Sequence, residues 1–364
     1  MSIKIAVIGG DGIGPEVVDQ ALRVMEAAAP AHNLQTQLTR LDYSGRRYLK
    51  TGVVITDEEM ADLKSNYDAI FLGAVGTPEV KPGIIERGLL LRMRFELDQY
   101  INMRPVKLLP GVSTPLAGRG PADINFDVIR ENTEDLYCGS GGFLRKGTPQ
   151  EVSTQEMMST RFGVERCLRY AFNVSRRKLQ NGTGKGRLTL VHKTNVLTFA
   201  GDTWFRAFNE IGEAEFPEIT REYHHVDACC MYMVASPQMY DTIVTSNMFG
   251  DIITDLGAAI AGGMGVAASG NLNPDGTAPS MFEPVHGSAP DIAGQNKANP
   301  IAAVLSIAQL LVETGAIKKD NGAIAAGQQI EAAVAKVCPR FEGQRLDRLN
   351  VSCSDIGSMI IDAL

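Results

Sequence analysis

Several features that mark particular classes of protein are scarce or missing in this sequence of 364 residues. It contains no long run of Lys and Arg, and its formal net charge is −7. Both observations argue against a nucleic-acid-binding surface, because such a surface needs clustered positive charge. The six cysteines show no CxxC spacing. We therefore expect buried, reduced thiols in a cytosolic protein.

Long apolar segments are also lacking. No apolar run in the sequence reaches the length needed to span a membrane. Residues 3–8, IKIAVI, indicate a β-strand rather than part of a signal peptide. We find no internal repeat and no low-complexity tract. These features predict a cytoplasmic protein.

What the sequence does contain is typical of a soluble globular protein, with 44% hydrophobic and 21% charged residues. The length suggests two domains, each large enough to bury a core. Short apolar strands alternate with amphipathic helices, which predicts an α/β fold. One helix is expected to begin at Pro15, and Thr56 with Glu59 forms a capping box before another. The expected buried stripe of the first helix is Val17, Val18, Ala21, Leu22, Val24 and Met25.

A glycine-rich turn follows the first strand. Residues 10–14, GDGIG, are similar to the GxGxxG motif that binds dinucleotides, but the third glycine comes one residue early and Pro15 follows. A structural tight turn is the better interpretation. A cofactor contact through the backbone of Ile13 stays open.

Carboxylates are grouped in residues 242–255, TIVTSNMFGDIITD. If a helix opens at Gly250, the four-residue spacing of Asp251 and Asp255 places both side chains on one face, about a turn apart. A further acid, Asp227, lies upstream. Three carboxylates suit a hard divalent cation such as Mg²⁺. The alternative is a solvated helix face.

Basic and proton-transferring side chains form two further groups. Arg94 lies in a predicted helix, whereas Arg104 and Arg130 are predicted to end strands. Arginines aimed at a cleft suit bidentate binding of carboxylates, although each taken alone is also compatible with a surface charge. Tyr137 and Lys193 supply a hydroxyl and an amine that could transfer protons.

Two segments are compatible with ligand contacts. Residues 282–294, FEPVHGSAPDIAG, contain small residues that allow close approach of a ligand, and Asp291 could bind a ribose 2′-hydroxyl. Three consecutive leucines, Leu89, Leu90 and Leu91, indicate either a pocket wall or simply core. They lie in a helix predicted over residues 88–97, where Leu90 and Leu91, four and three residues before Arg94, would share its face.

Taken together, these motifs resemble a known family. GDGIGPE at 10–16, RENTE, SNMFGDIITDLG and EPVHGSAPDIAG are similar to motifs of the β-decarboxylating 2-hydroxyacid dehydrogenases, which include 3-isopropylmalate, isocitrate, homoisocitrate and tartrate or D-malate dehydrogenases. The resemblance covers essentially the whole chain. Within the family, ERGLLLRMRFELDQYINMRP and LTLVHKTNVLTFAG are most similar to the actinobacterial 3-isopropylmalate enzymes.

The resemblance implies a two-domain isocitrate/isopropylmalate dehydrogenase-like α/β fold, which is not a Rossmann fold, with a central mixed sheet. Residues 1–101 and 264–364 would form the first, cofactor-binding domain. Residues 102–263 would form the second domain, for substrate and dimerisation, with an arm near 138–158. A homodimer with shared active sites is implied.

The resemblance also assigns roles residue by residue. The implied substrate-binding residues are Leu90, Leu91, Arg94, Arg104, Arg130 and Val196. The implied catalytic residues are Tyr137, Lys193 and Asp227, and the implied metal ligands are Asp227, Asp251 and Asp255. The implied cofactor-binding residues are Ile13, Glu283, His286, Gly287, Ser288, Ala289, Asp291 and Asn299. Lys193, Asp227 and Val196 would reach the site from the other subunit.

The implied reaction is the oxidative decarboxylation of (2R,3S)-3-isopropylmalate to 4-methyl-2-oxopentanoate and CO₂, with NAD and Mg²⁺ or Mn²⁺, in leucine biosynthesis. Activity on D-malate, tartrate or another 3-substituted malate is an alternative. A further alternative is a non-catalytic regulatory subunit of a heteromeric dehydrogenase, or a plain binding module.

Overall fold

The computed structural model describes residues 2–344, 346 and 349–364. These residues form two compact units. The first comprises residues 1–99, 104–124 and 258–364, and the second comprises residues 100–103 and 125–257. Strands alternate with helices in both units, which confirms the predicted α/β class.

Strands and helices follow each other closely along the chain. In chain order the strands are β1 Ser2–Gly10, β2 Gln35–Arg40, β3 Ala69–Ala74, β4 Ile101–Lys107, β5 Asn125–Glu131, β6 Gly141–Leu144, β7 Val152–Gln155, β8 Arg187–His192, β9 Thr220–His225, β10 Thr242–Thr245, β11 Ala268–Leu272 and β12 Ser280–Pro284. The α-helices are α1 Gly14–Ala28, α2 Gly45–Thr51, α3 Asp57–Asn66, α4 Arg92–Glu96, α5 Arg161–Gln180, α6 Ala200–Glu215, α7 Val226–Ala235, α8 Asn247–Ile260, α9 Ile301–Lys318, α10 Asn321–Val337 and α11 Cys353–Ile361.

The sheet of the first unit is mixed. Its strands lie in the order β2-β1-β3-β12-β11. β1 is parallel to both β2 and β3, and β3 is parallel to β12. β11 pairs with β12 in the antiparallel direction. A Rossmann sheet is parallel and has a different strand order, so the predictions of a mixed sheet and of a non-Rossmann fold are confirmed.

Helix α1 shows how the sequence pattern produces this packing. Pro15 lies in its first turn, where a missing N–H costs no hydrogen bond. The apolar stripe predicted from the sequence is buried at every position: Val17, Val18, Ala21, Leu22, Val24 and Met25. Thr56 and Glu59 form the predicted capping box at the start of α3. Local signals therefore predicted the buried face of α1 and the start of α3 correctly, whereas α1 begins at Gly14, one residue before the predicted Pro15.

The GDGIG segment is a tight structural turn. Gly10 and Gly12 have φ of 73° and 57°, in the left-handed region that favours glycine. A Cβ on Gly12 would lie 1.9 Å from the carbonyl oxygen of Ser288, so only glycine permits this contact. The N–H of Ile13 donates to that same carbonyl at 2.8 Å. Of the Ile13 backbone, left open above as a cofactor contact, the N–H is therefore already used within the protein.

Helix α9 corrects the expectation that no apolar run in the sequence is long enough to span a membrane. By length and composition, Ile301–Lys318 is apolar enough to cross a membrane, but 67% of it is buried inside the protein. It packs against α1, α10 and β12 within the first unit. An apolar helix covered on several sides is typical of a core helix.

The sheet of the second unit is parallel in the order β5-β10-β8-β9. Helix α5 packs on β5, β8 and β10. Strands β6 and β7 form a separate antiparallel hairpin, which lies inside the predicted arm. The side chains of Phe143 and Leu144 on this hairpin are 59% and 60% exposed.

Residues 104–124 lie in the first unit, whereas the predicted boundary at residue 102 places them in the second domain. The N–H of Leu108 donates to the carbonyl of Ile124 at 2.9 Å, which closes this segment into a loop. A Cβ on Gly111 would lie only 2.4 Å from Cα of Pro339. The loop thus packs on the C-terminal part of the first unit, and such a contact leaves no local mark on the sequence.

Candidate active site

The candidate active site lies at the carboxyl edge of the second unit's sheet. Thr245 at the end of β10 is level with Arg130 in β5 and with Val191 in β8, and His192 is level with His225 at the end of β9. Parallel strands end at a common edge, where open α/β sheets bind their ligands. The predicted residues on or shortly beyond these strand ends are Arg130, Tyr137, Lys193, Asp227 and Asp251.

Asp251 joins two of the predicted residues. Nη1 of Arg130 donates to Oδ1 of Asp251 at 2.6 Å, and the hydroxyl of Tyr137 donates to Oδ2 at 2.9 Å. The Arg130 guanidinium also lies 5.1 Å from the centroid of the Tyr137 ring. Burial raises the pKa of Tyr137, and the positive charge of Arg130 opposes this shift. The phenol is therefore held in its protonated form.

The Arg130 guanidinium can donate a hydrogen bond to one further acceptor. Its side chain is only 1% exposed, whereas that of Asp251 is 44% exposed. Nε of Arg130 donates to Oδ1 of Asn247 at 2.9 Å, but Nη2 is buried without a hydrogen-bond partner among the described residues. A buried guanidinium N–H without an acceptor is costly. The arrangement suits an anionic oxygen brought by a ligand.

Asp251 and Asp255 lie four residues apart on α8, as expected, but this helix begins at Asn247 rather than at Gly250. The earlier start has a cause outside the local sequence, because Asp135 accepts a hydrogen bond from the N–H of Met248 at 2.8 Å. Two carboxylates one helical turn apart provide the oxygen donors that a hard divalent cation prefers. The residues present therefore fit a metal.

Within the described part of one chain, no group of three or more His, Cys, Asp or Glu side chains is placed to hold a metal ion. Asp227, the third predicted ligand, instead pairs with Lys193. Nζ of Lys193 lies 2.5 Å from Oδ1 of Asp227. The hydrogen bond from Lys193 lowers the pKa of Asp227, whose side chain is 68% exposed. The structure thus brings five predicted residues of the second unit together as two groups, with Arg130, Tyr137 and Asp251 in one and Lys193 and Asp227 in the other.

Two of the predicted arginines belong to the first unit. Arg94 on α4 is nearly buried, and its Nη2 lies 3.4 Å from Oε1 of Glu283 on β12. The same oxygen accepts from Nδ2 of Asn271 at 2.9 Å. Glu283, predicted as a cofactor residue, therefore also holds Arg94. Arg104 does not end its strand as predicted, because β4 continues to Lys107. The strand continues through Pro105 because proline is compatible with an extended backbone.

The leucine run begins differently from the prediction. Glu86–Leu91 is a π-helical turn, and α4 follows it. Leu89 is buried in the core, whereas Leu90 and Leu91 are only partly buried. A π-helix has more residues per turn than an α-helix, so the α-helical spacing assumed between Leu90 and Arg94 does not hold. Val196, in the second unit, is 65% exposed.

Several predicted cofactor residues line a cavity of about 660 Å³ in the first unit. Its lining includes Ile13, His286, Ala289 and Asn299. Nε2 of His286 is buried and has no hydrogen-bond partner among the described residues. Burial lowers the pKa of His286, so the neutral ring can donate to or accept from a ligand. An apolar cavity with one unsatisfied polar atom fits a nucleotide cofactor.

The other predicted cofactor residues do not line this cavity, but they lie close in sequence to His286 and Ala289, which do. Gly287 and Asp291 are exposed, and the carbonyl of Ser288 is occupied by Ile13. The carbonyl of Asp291 accepts from Nε2 of Gln295 at 2.7 Å, which fixes the turn that presents its carboxylate to solvent.

Comparison with known proteins identifies the family. The isocitrate/isopropylmalate dehydrogenase family model matches residues 4–360. This chain belongs to that family. It is 53% identical over 335 residues to the 3-isopropylmalate dehydrogenase of Thermobifida fusca, covering 92% of this chain and 91% of that one. It is 51% identical over 364 residues to the 3-isopropylmalate dehydrogenase of Corynebacterium diphtheriae, covering 100% and 99%.

A solved structure of the family has the same fold. The isocitrate dehydrogenase of Methylococcus capsulatus superimposes with a TM-score of 0.83 at 33% identity, covering 99% of each chain. As a member of the isocitrate/isopropylmalate dehydrogenase family, this protein is an oxidoreductase, and the family implies NAD and a divalent metal. The expected resemblance to the actinobacterial enzymes is confirmed.

Two buried acids close to Arg130 were not predicted from the sequence, and Asp135 is the one that contacts α8. Glu131 is 2% exposed, and burial raises its pKa to about 7. Asp135 is 1% exposed and has a positive φ. Both follow the predicted Arg130 in residues 130–135, RENTED. Acids that follow a predicted site residue so closely were a signal that could have been used.

Proposed function

We propose that this protein is an NAD- and divalent-metal-dependent 3-isopropylmalate dehydrogenase. It converts (2R,3S)-3-isopropylmalate to 4-methyl-2-oxopentanoate and CO₂, a step of leucine biosynthesis in the cytoplasm. The observation that carries this proposal is the identity of 53% and 51%, over nearly full length, to enzymes named for this substrate. The cluster of Arg130, Tyr137 and Asp251 provides an anion-binding group, a proton donor and a carboxylate that can bind a metal.

Substrate binding rests on charge and on an apolar wall. Arg94, Arg104 and Arg130 bind the malate carboxylates, and the unsatisfied Nη2 of Arg130 supports this role. The partly buried Leu90 and Leu91 contact the isopropyl group. Their exposed surface favours an apolar substituent, because a third carboxylate would lose its hydration against leucine.

Proton transfer is assigned to two groups. The pair of Lys193 and Asp227 receives the proton of the substrate's C2 hydroxyl, because the two side chains form one hydrogen-bonded unit. Tyr137 gives a proton to C3 after CO₂ has left, and its raised pKa keeps that proton available. Bound NAD would accept the C2 hydride, and a cation bound by Asp251, Asp255 and Asp227 would polarise the C2 oxygen.

The NAD is assigned to the cavity of the first unit. Ile13, His286, Ala289 and Asn299 line its walls. Asp291, exposed next to this lining, accepts hydrogen bonds from the adenosine ribose. Glu283, Gly287 and Ser288 complete the contacts, so the loop after β12 carries most of the cofactor site.

A homodimer completes each active site. Asp227 is paired with Lys193 rather than grouped with Asp251 in one chain, which supports the supply of Lys193, Asp227 and Val196 by the partner subunit. Apolar side chains that are about half exposed, Met231 and Val234 on α7 and Ile252 on α8, support the same conclusion because such side chains are usually buried by a partner.

A substrate panel tests the function. NADH formation with NAD⁺ and Mn²⁺ is followed for 3-isopropylmalate, D-malate, tartrate and isocitrate. Burying the isopropyl group contributes roughly 1.5–3 kcal/mol, so kcat/KM for isopropylmalate should exceed that for D-malate at least about tenfold. A better rate with D-malate, tartrate or isocitrate would contradict the proposed substrate. Absence of NADH with every compound would contradict catalysis itself.

A further inference from the structure

Asp135 has an unusual backbone for a residue with a side chain. Its φ is 70° and its ψ is −147°, close to a region that is populated almost only by glycine. The residue is nevertheless an aspartate and is 1% exposed. A strained backbone persists only where the surrounding contacts outweigh its cost, and such residues cluster at functional sites.

The carboxylate of Asp135 connects two elements of the candidate active site. Oδ1 accepts the N–H of Leu136 at 2.8 Å, in the 3₁₀ turn Leu136–Cys138. Oδ2 accepts the N–H of Met248 at 2.8 Å, in the first turn of α8. The negative charge lies at the positive end of this 14-residue helix, where it is stabilising.

The two connected elements carry the groups that meet in the site. The 3₁₀ turn carries Tyr137, and α8 carries Asp251, whose carboxylate accepts the Tyr137 hydroxyl at 2.9 Å. A second, weaker link runs in parallel, from Nδ2 of Asn247 to the carbonyl of Glu134 at 3.2 Å. The N–H of Asp135 also donates to the carbonyl of Met158 at 2.8 Å, which anchors the turn on its other side.

We propose that Asp135 is a positioning residue for catalysis, which holds the Tyr137 hydroxyl in register with Asp251. Its carboxylate accepts the N–H of Leu136, in the turn that carries Tyr137, and the N–H of Met248, in the helix that carries Asp251. This inference rests on the proposed role of Tyr137 as proton donor. Asp135 itself does not touch the reacting atoms. Its strained backbone is retained because an acceptor at this position reaches both N–H groups at once.

Two substitutions of Asp135 distinguish the effect of its carboxylate from the effect of its backbone conformation. Asp135→Gly keeps the backbone conformation, which glycine adopts without strain, and removes both acceptors. We expect kcat to fall roughly 10- to 100-fold, because small displacements of a reacting group have effects of this size, with KM for isopropylmalate nearly unchanged. Asp135→Asn retains one acceptor and should recover most of the lost kcat.

A double-mutant cycle with Tyr137→Phe supplies the readout that a merely structural role would not change. If Asp135 acts through the Tyr137 hydroxyl, adding Asp135→Gly to Tyr137→Phe should lower kcat by less than about twofold. Asn33→Gly is the matched control, because Asn33 is an exposed polar residue with a φ of 53°. This control should leave kcat unchanged. Thermal unfolding of each variant reports its folded fraction, and Asp135→Ala, which also removes both acceptors, takes the place of Asp135→Gly in the cycle if the latter does not fold.

The outcomes distinguish this inference from the proposed function. Additive losses in the cycle, or wild-type kcat for Asp135→Gly, would overturn the positioning role while leaving that of Tyr137 intact. Wild-type kcat for Tyr137→Phe would overturn the proposed proton donor and the inference with it. A strong loss for both single variants without further loss in the double variant supports the inference.

Discussion

Nζ of Lys193 lies 2.5 Å from Oδ1 of Asp227, although 34 residues separate them in the sequence. Lys193 follows β8, and Asp227 lies in the first turn of α7 after β9. The two strands are parallel neighbours, so the topology places the two side chains together. One chain therefore offers a lysine–aspartate pair as a unit, and a shared site would receive both residues from the same subunit.

This pairing predicts complementation between inactive subunits. A Lys193→Met chain and an Asp251→Asn chain should each be inactive alone. When they are co-expressed with different tags, mixed dimers should contain one site with an intact Lys193–Asp227 pair facing an intact Asp251. Random pairing makes half of the dimers mixed, so specific activity should return to about a quarter of the wild-type value.

The matched control combines two variants of the same pair, Lys193→Met and Asp227→Asn. Every site in their mixed dimers carries one defect, so activity should not return. If the first combination also remained inactive while mixed dimers were isolated by their two tags, each site would be built from one chain. The shared site would then be wrong.

The metal prediction concerns Asp251. Asp251→Asn removes a charged ligand, and we expect kcat to fall at least about 100-fold, equivalent to roughly 2.7 kcal/mol of barrier. EDTA should abolish wild-type turnover, and Mn²⁺ or Mg²⁺ should restore it. Full activity in EDTA would contradict the metal site and would favour the alternative, in which Asp251 and Asp255 lie on a solvated helix face.

A stability measurement must accompany that experiment, because Asp251 also neutralises the buried Arg130. Asp19→Asn is a suitable control, since Asp19 pairs with Arg40 at 2.6 Å on an exposed surface. An exposed pair contributes at most about 1 kcal/mol, so this variant should retain both stability and activity. Loss of activity in Asp251→Asn at unchanged thermal stability excludes unfolding as the cause. The EDTA experiment tests the metal separately, because Asp251 also accepts hydrogen bonds from Arg130 and Tyr137.

Local sequence signals predicted much of the fold, and remote contacts account for what they missed. The buried stripe of α1 and the capping box of α3 were correct because their causes lie within a few residues. The start of α8 was misplaced because its capping carboxylate, Asp135, is 113 residues away from Met248. Spacing rules cannot show a cap from such a distance.

The candidate site shows the same division. The spacing of Asp251 and Asp255 on one helix followed from the sequence. The contact of Glu283 with Arg94 joins residues 189 positions apart, and no local pattern reveals it. The π-helical turn before α4 inserts extra residues per turn, so face assignments made with α-helical spacing fail at Leu90. Resemblance to a family supplied roles that the residues alone left open.

His192 predicts a pH-dependent stability. Its ring is fully buried, and neither ring nitrogen has a hydrogen-bond partner among the described residues. Burial lowers the pKa of His192 to about 4, whereas an unfolded histidine has a pKa of about 6.5. The unfolded chain therefore binds a proton first as the pH falls. The stability contributed by the neutral ring is fully present above about pH 6.5 and is lost between there and pH 4.

The measurement compares wild type with His192→Leu, which keeps a similar volume and cannot titrate. The wild-type free energy of unfolding should fall by about 2 kcal/mol more than that of the variant between pH 7.5 and pH 5. Equal pH dependence of the two proteins would contradict the prediction, because the folded imidazole would then bind a proton as readily as the unfolded one. The difference between variants cancels the other titrating groups.

Cofactor preference depends on Asp291. A carboxylate accepts hydrogen bonds from a ribose 2′-hydroxyl and repels a 2′-phosphate, and Asp291 is exposed with its backbone fixed by Gln295. We expect kcat/KM for NAD⁺ to exceed that for NADP⁺ at least about tenfold. Asp291→Asn should reduce this ratio by lowering repulsion of the phosphate. Asp362→Asn makes the same change of net charge at another exposed position and should leave the ratio unchanged. If both variants, or neither, shifted the ratio, discrimination would not come from Asp291, and the turn at Pro290–Ile292 would need a different role.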